Sequence, residues 1–216
     1  PNKSSREKME ALKKSGVTFA FSKLFEPESI KKDTKNNGHK KFINETEILD
    51  LLQVIDGSKE DENLLGFLDY DKIKEGKMCR HMVMVLPYCA SCDAMEELLK
   101  TKKETFKNLG EYEIINISGV DAAKTYKKPS DIKNKIKECE ALNKKTITLT
   151  VNRMLTGSTV EQWDTMLYFK DTSSPQEYDQ SIFRLQNQYI RTLSSANGFI
   201  KENLKPQTLL VDFDPN

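Results

Sequence analysis

The chain has 216 residues, 37% of them hydrophobic and 31% charged, and its 34 basic and 33 acidic side chains leave a formal net charge of +1. That length is enough to bury a substantial core in one domain, or in one domain with an elaboration. The charge balance gives no overall basic footprint for nucleic acid, no apolar run approaches the ~20 residues of a membrane span, no secretory signal is legible, and four cysteines are too few for a disulfide scaffold.

The expected setting is a reducing cytoplasm. A chain that begins at Pro1 and stops at Asp214-Pro215-Asn216 reads as a piece of a longer protein.

In chain order, residues 1–78 read as a helical and loop-like elaboration, or a linker to something before it. Ser5 to Ser15 is a short charged helix that Gly16 ends, and Lys31 to Lys41 is a basic loop around Asn36-Asn37-Gly38. Asn44 to Ile55 is a better helix. Asn44 serves as N-cap with Glu47 completing a capping box, Ile48, Leu51, Leu52 and Ile55 form the apolar stripe, and Gly57 stops it.

Residues 79–216 change character. His81 to Pro87 is an apolar strand, Asp93 to Leu109 a helix with Asp93 and Glu96 as a second capping box, and Tyr112 to Ile117 a strand. Asp131 to Leu142 is a helix facing in through Ile132, Ile136 and Cys139 or Leu142. Ile147 to Val151 and Thr165 to Phe169 are strands, Ser174 to Tyr189 is a helix, and Leu209 to Phe213 is a last strand. Strands alternating with helices at this spacing predict an α/β fold, a parallel sheet with helices on both faces.

In open parallel sheets, ligands bind beyond the carboxyl ends of the strands. Two segments are expected there, the turn after Val151 and the start of the helix after Phe169. Gly157 lets the first turn tightly and approach a ligand. The second is well specified: Ser174 caps, Pro175 occupies the first helical position, and Glu177 sits at the third. Tyr178, Ile182, Leu185 and Tyr189 then share one stripe, which leaves Gln180, Arg184 and Asn187 on the opposite side. A guanidinium held there suits a phosphate, because its planar fork binds oxygens in pairs and its charge is permanent.

The order Thr150-Val151-Asn152-Arg153-Met154-Leu155-Thr156-Gly157-Ser158-Thr159, then Trp163 to Lys170, then Gln180-Ser181-Ile182-Phe183-Arg184 resembles motifs V and VI in the C-terminal RecA-like lobe of superfamily 2 helicases and translocases. It is most similar to the motor subunits of type I and type III restriction enzymes. The resemblance implies an ATP-dependent DNA translocase or helicase from a bacterial restriction–modification system. Arg184 is then the arginine finger that reaches the γ-phosphate of ATP, and Gln180 the polar residue that opens the same motif. Gly157 and Thr159 sense the nucleotide. Arg153, Thr156 and Ser158 contact the DNA backbone, and Ser118, in the Ser118-Gly119-Val120 turn, adds a further backbone contact.

Pro87 to Cys92 takes the place of motif IV, and Val211 to Pro215 resembles a segment that follows motif VI. The sequence departs from the common pattern at Asn187, where a second arginine is expected. No Gly-x-x-x-x-Gly-Lys-Ser/Thr run occurs, and no Asp-Glu pair follows a strand as a Mg²⁺ site requires. The resemblance therefore implies that ATP and Mg²⁺ are bound mainly by a preceding RecA lobe of the same chain. Further partners would be double-stranded DNA and nuclease or methyltransferase domains or subunits, and the 216-residue piece alone would be inactive.

Three other readings stay open at this level. Cys89-Ala90-Ser91-Cys92, between an apolar strand and a helix start, fits a thioredoxin-like redox pair or two half-buried hydrophobes. Cys79, His81, Cys89 and Cys92 could form a zinc site. Lys124, Lys127, Lys128, Lys133, Lys135 and Lys137 could serve a plain nucleic-acid-binding module, although Asp131, Glu138 and Glu140 dilute their charge. Arg184 by itself also reads as a surface arginine paired with Asp179.

Overall fold

A strand that is apolar on both faces is stable only inside a sheet covered on both sides. His81-Met82-Val83-Met84-Val85 is such a strand, and all five residues are buried. The computed structural model describes residues 21–28, 41–59, 68, 75, 76, 79–120, 125–151 and 160–170, with the backbone of 190–195, 198–203 and 209–212.

There β1 (His81–Val85) lies at the centre of a five-stranded sheet with β2 (Glu113–Asn116), β3 (Thr146–Thr150), β4 (Thr165–Tyr168) and β7 (Leu209–Asp212). The order is β2-β3-β1-β4-β7, and every pairing is parallel. His81 stands opposite Thr146 and Val85 opposite Thr150, and Met82 stands opposite Thr165 on the other side. A separate antiparallel pair is formed by β5 (Ile190–Ser195) and β6 (Gly198–Asn203).

Strand alternation divides the core in two. Met82, Met84, Leu86, Ile147, Leu149, Leu167 and Phe169 share one cluster with α1 (Phe21–Leu24), α2 (Glu45–Asp56) and α3 (Cys89–Thr101). Val83, Val85, Ile115, Ile117, Met166 and Tyr168 share the other with Ile132 and Ile136 of α4 (Pro129–Ala141), and with Val160 and Trp163. The fold is thus α/β, a parallel sheet with helices on both faces, the architecture expected of a RecA-like lobe. Each fully buried Leu, Ile or Met contributes about 1.5–3 kcal/mol relative to exposure, so both layers are needed to hold the sheet.

The described part of the first 78 residues packs into the same core as the sheet. Phe25 lies 5.0 Å from Phe169 between ring centroids, and the Ser91 hydroxyl donates to the Phe25 carbonyl at 2.7 Å. Where α2 ends, the buried Asp56 carboxylate accepts the amides of Lys107, Asn108 and Leu109 at 2.6–2.9 Å.

The α2 stripe falls where periodicity puts it, with Ile48, Leu51, Leu52 and Ile55 buried and Gly57 ending the helix at φ 77°. Its capping box does not form. Asn44 is the N-cap residue, but its side chain donates to the Lys23 carbonyl at 2.9 Å instead of closing on the helix.

The expected capping box at Asp93 is also corrected, because α3 begins four residues earlier at Cys89. Extended Tyr88 turns its carbonyl toward the Ser91 and Cys92 amides, which leaves Asp93 inside the helix and free for tertiary contacts. At the end of α4 it is Cys139 that faces in, and Leu142 is exposed. The expected helices Ser5–Ser15 and Ser174–Tyr189, and nearly all of the 31–41 loop, lie outside the described residues.

Candidate nucleic-acid interface at the carboxyl edge

Because all five strands run the same way, the ends of β1, β2, β3 and β4 bring Pro87, Ser118, Val151 and Phe169 to one edge of the sheet. This is the edge where an open α/β sheet receives its ligands. Among the described residues, Ser118 is the site residue named from sequence, and the structure puts it in this edge. Its hydroxyl lies 3.1 Å from the Thr150 hydroxyl and accepts the Val151 amide at 3.3 Å. Ser118 therefore ties the end of β2 to the point where the chain leaves β3, and it is buried while doing so.

The turn that carries Ser118 is held by side chains from two elements. Asn116 Oδ1 accepts the Gly119 amide at 2.8 Å and the Ser118 amide at 3.3 Å. Asn116 Nδ2 donates to Asp93 at 2.9 Å and to Glu96 at 2.9 Å, and Asp93 also accepts the Val120 amide at 3.0 Å. Gly119 is required by contact: a Cβ there would fall 2.0 Å from the Asp93 carboxylate and 2.7 Å from Asn116 Nδ2. Sequence reading assigned Asp93 to a helix cap and missed this bracket. Its only local sign is an acid one turn into a helix beside an Asn-x-Ser-Gly turn.

Threonines line one face of β3, and each is buried and hydrogen-bonded. Thr146 meets His81 Nδ1 at 2.9 Å, Thr148 accepts Trp163 Nε1 at 3.2 Å, and Thr150 meets Ser118. Inside a sheet a hydroxyl without a partner costs about 1–3 kcal/mol, so this column specifies three neighbours of β3 as well as its pleat.

The opposite, amino-terminal edge holds an ionic cluster. Glu140 of α4 bonds Arg80 through one oxygen and His81 Nε2 through the other, at 2.5 Å for His81. Burial pushes the Glu140 carboxyl up, but the hydrogen bonds and charges of His81 and Arg80 outweigh it and bring it down to about 2. Asp164 accepts the Arg80 amide at 2.9 Å and the His81 amide at 3.3 Å. Complete burial nonetheless raises its pKa above the usual carboxylate value.

The zinc reading does not survive this geometry. Cys79 and His81 belong to the amino end of β1, whereas Cys89 and Cys92 follow its carboxyl end, roughly 13 Å further on at the rise of a strand. His81 is engaged by Thr146 and Glu140. All four thiols are free. Cys92 packs among Met95, Leu98 and the strand residues, and burial pushes its thiol up. Cys79 is pushed up to about 12 by burial as well.

Arg153, Thr156, Gly157, Ser158, Thr159, Gln180 and Arg184 lie outside the described residues. So does Lys124 of the lysine series. Of the rest of that series, Lys127, Lys128 and Lys137 are exposed, and Lys135 lies 3.9 Å from Glu138. No described helix is long and apolar enough to cross a membrane.

No known protein-family profile matches the chain. Its sequence is similar to a Mycoplasma pneumoniae protein provisionally named as the C-terminus of a type II restriction enzyme and methyltransferase. The two are 30% identical over 201 residues, which is 91% of this chain and 25% of the relative. The chain thus spans a quarter of the length of that curated relative. The similarity supports the restriction–modification link; the relative's name says nothing of a helicase or translocase.

Proposed function

We propose that this chain is the second motor lobe of an ATP-dependent DNA translocase or helicase within a restriction–modification protein. The observation that carries the reading is the position of β3. The threonine strand that opens the motif V-like sequence ends at the carboxyl edge, next to Ser118. The relative's naming as a restriction enzyme and methyltransferase supports DNA as the polymer, and nuclease or methyltransferase parts as neighbours in the full protein.

In this reading Arg153, Thr156, Ser158 and the Ser118 turn follow the DNA backbone. Gly157 and Thr159 couple that grip to the nucleotide. ATP is the substrate, held with its Mg²⁺ mainly by a preceding RecA lobe, and Gln180 and Arg184 complete the site from this side. A fixed guanidinium offsets the charge that develops on the transferred phosphoryl group.

The test is DNA-stimulated ATP hydrolysis by the full-length protein. R184A is expected to lower kcat by about 10³-fold with little change in KM for ATP, and the 216-residue piece alone is expected to hydrolyse nothing. Full turnover by R184A, or DNA-stimulated turnover by the piece, would refute the assignment.

A further inference from the structure

The strand order sets one point of the carboxyl edge apart. From β1 the chain passes through α3 to β2, two places to one side, whereas the next strand of this sheet after β4 is β7, on the other side. β1 and β4 are themselves neighbours. An open α/β sheet forms its ligand crevice where adjacent strands send their connections in opposite directions. That point lies beyond the Val85–Tyr168 pair, and the chain leaving β1 there is Leu86-Pro87-Tyr88.

Tyr88 is 44% exposed. Single exposed hydrophobes are common on protein surfaces, but this one stands at the switch point and is the aromatic member of its set. The other large hydrophobic side chains exposed among the described residues are Ile43, Val120 and Leu142. The structural duty of Tyr88 falls on its backbone. Its carbonyl accepts the Ser91 amide at 3.0 Å and the Cys92 amide at 3.3 Å, and its side chain makes no capping bond. The Leu86 amide donates to the Thr150 carbonyl at 2.8 Å and the Phe169 amide to the Val85 carbonyl at 2.9 Å, which fixes the strand ends beside it. The ring is thus carried on rigid backbone and is not used by the fold.

We infer that Tyr88 stacks on an unpaired base of single-stranded DNA. The inference rests on the reading of the Ser118 turn as a DNA-backbone contact. That turn is tied to α3 where Asp93 accepts the Val120 amide. Tyr88 and Asp93 are five positions apart, roughly 7 Å along the helix, or about two nucleotides of a strand at ~3.4 Å each. A strand whose phosphates follow the turn therefore brings its bases to the ring. A tyrosine face takes any base, because every base has a π-face. Bases inside a duplex offer only their edges in the grooves, so the strand met here is an opened one.

The experiment is fluorescence-anisotropy binding to the full-length protein of three labelled DNAs: an oligothymidylate, an abasic strand of the same length, and a blunt duplex. Thermal melting and KM for ATP are measured alongside. Y88A is expected to weaken oligothymidylate binding about tenfold, within the range for one lost base–aromatic stack. Its affinity for the abasic strand and the duplex should stay within about twofold of wild type, because neither offers a free base face. Y88F and Y88W keep a stacking ring and should bind oligothymidylate within about twofold of wild type. The melting temperature of Y88A should be unchanged.

Unaltered oligothymidylate binding by Y88A would overturn the inference, as would equal losses on the oligothymidylate and abasic strands. A raised KM for ATP with strand affinity intact would place the adenine on Tyr88 instead and overturn it too. A wild-type protein that binds duplex but not single strands would overturn the inference and leave the proposed function standing. A wild-type protein that binds no DNA would refute the proposed function, and this inference with it.

Discussion

Glu140 is the sharpest quantitative handle on the fold. Its side chain retains 15% of its exposure, against 22% for Arg80 and 4% for His81, so the group is only weakly screened by solvent. The E140Q variant keeps the shape and removes the charge. One end of the new amide must then point a donor at a donor. With the folded carboxyl at about 2 and the ordinary value at 4.5, linkage gives a contribution of about 3 kcal/mol at neutral pH.

The sign follows from the depressed value. The contribution is fully present above the unfolded pKa and is lost as pH falls from about 4.5 toward 2. Urea unfolding of the wild type and E140Q should therefore differ by about 3 kcal/mol at pH 7, and by less than ~1 kcal/mol near pH 2.5. Asp164 titrates in the opposite sense, because burial raises its pKa, but it is common to both proteins and cancels in the difference. A gap under ~0.5 kcal/mol at pH 7, or one as large at pH 2.5 as at pH 7, would refute the assigned role of the Arg80–Glu140–His81 cluster.

Two further outcomes follow from named contacts. G119A should cost about 1–3 kcal/mol in thermal or urea unfolding, because the new Cβ must push the Asp93 carboxylate off Asn116 and the Val120 amide; wild-type stability would show that the bracket gives way freely. Iodoacetamide at mild alkaline pH should label the half-buried Cys89 first, while Cys79, Cys92 and Cys139, buried and with their thiols pushed up, react only on unfolding. Mass mapping that finds Cys92 or Cys79 labelled in the folded chain would contradict the packing.

The strands were the most legible part of the sequence. Runs such as HMVMV and TITLT, buried on both faces, have no stable place outside a covered parallel sheet. All five strands lie within a residue or two of their expected ends. Caps were misread for a shared reason: Asn44 and Asp93 have side chains suited to capping, and both spend them on distant segments, which spacing along the chain cannot reveal.

The antiparallel pair at 190–203 was not foreseen, although Asn197-Gly198 between two β-prone runs is a strong hairpin signal. The ties that shape the carboxyl edge, Ser118 to Thr150 and Trp163 to Thr148, join residues 32 and 15 positions apart. No periodicity or motif encodes them. Ser118 was legible as a residue of that edge; its burial and its hold on β3 required the fold.

The most direct measurement is a structure of the full-length protein bound to duplex DNA and a non-hydrolysable ATP analogue. The motor reading expects the Arg184 guanidinium within hydrogen-bond distance of the γ-phosphate, about 3 Å, with the 152–159 turn against the DNA backbone. An Arg184 turned away from the nucleotide, or DNA lying elsewhere on the sheet, would contradict it.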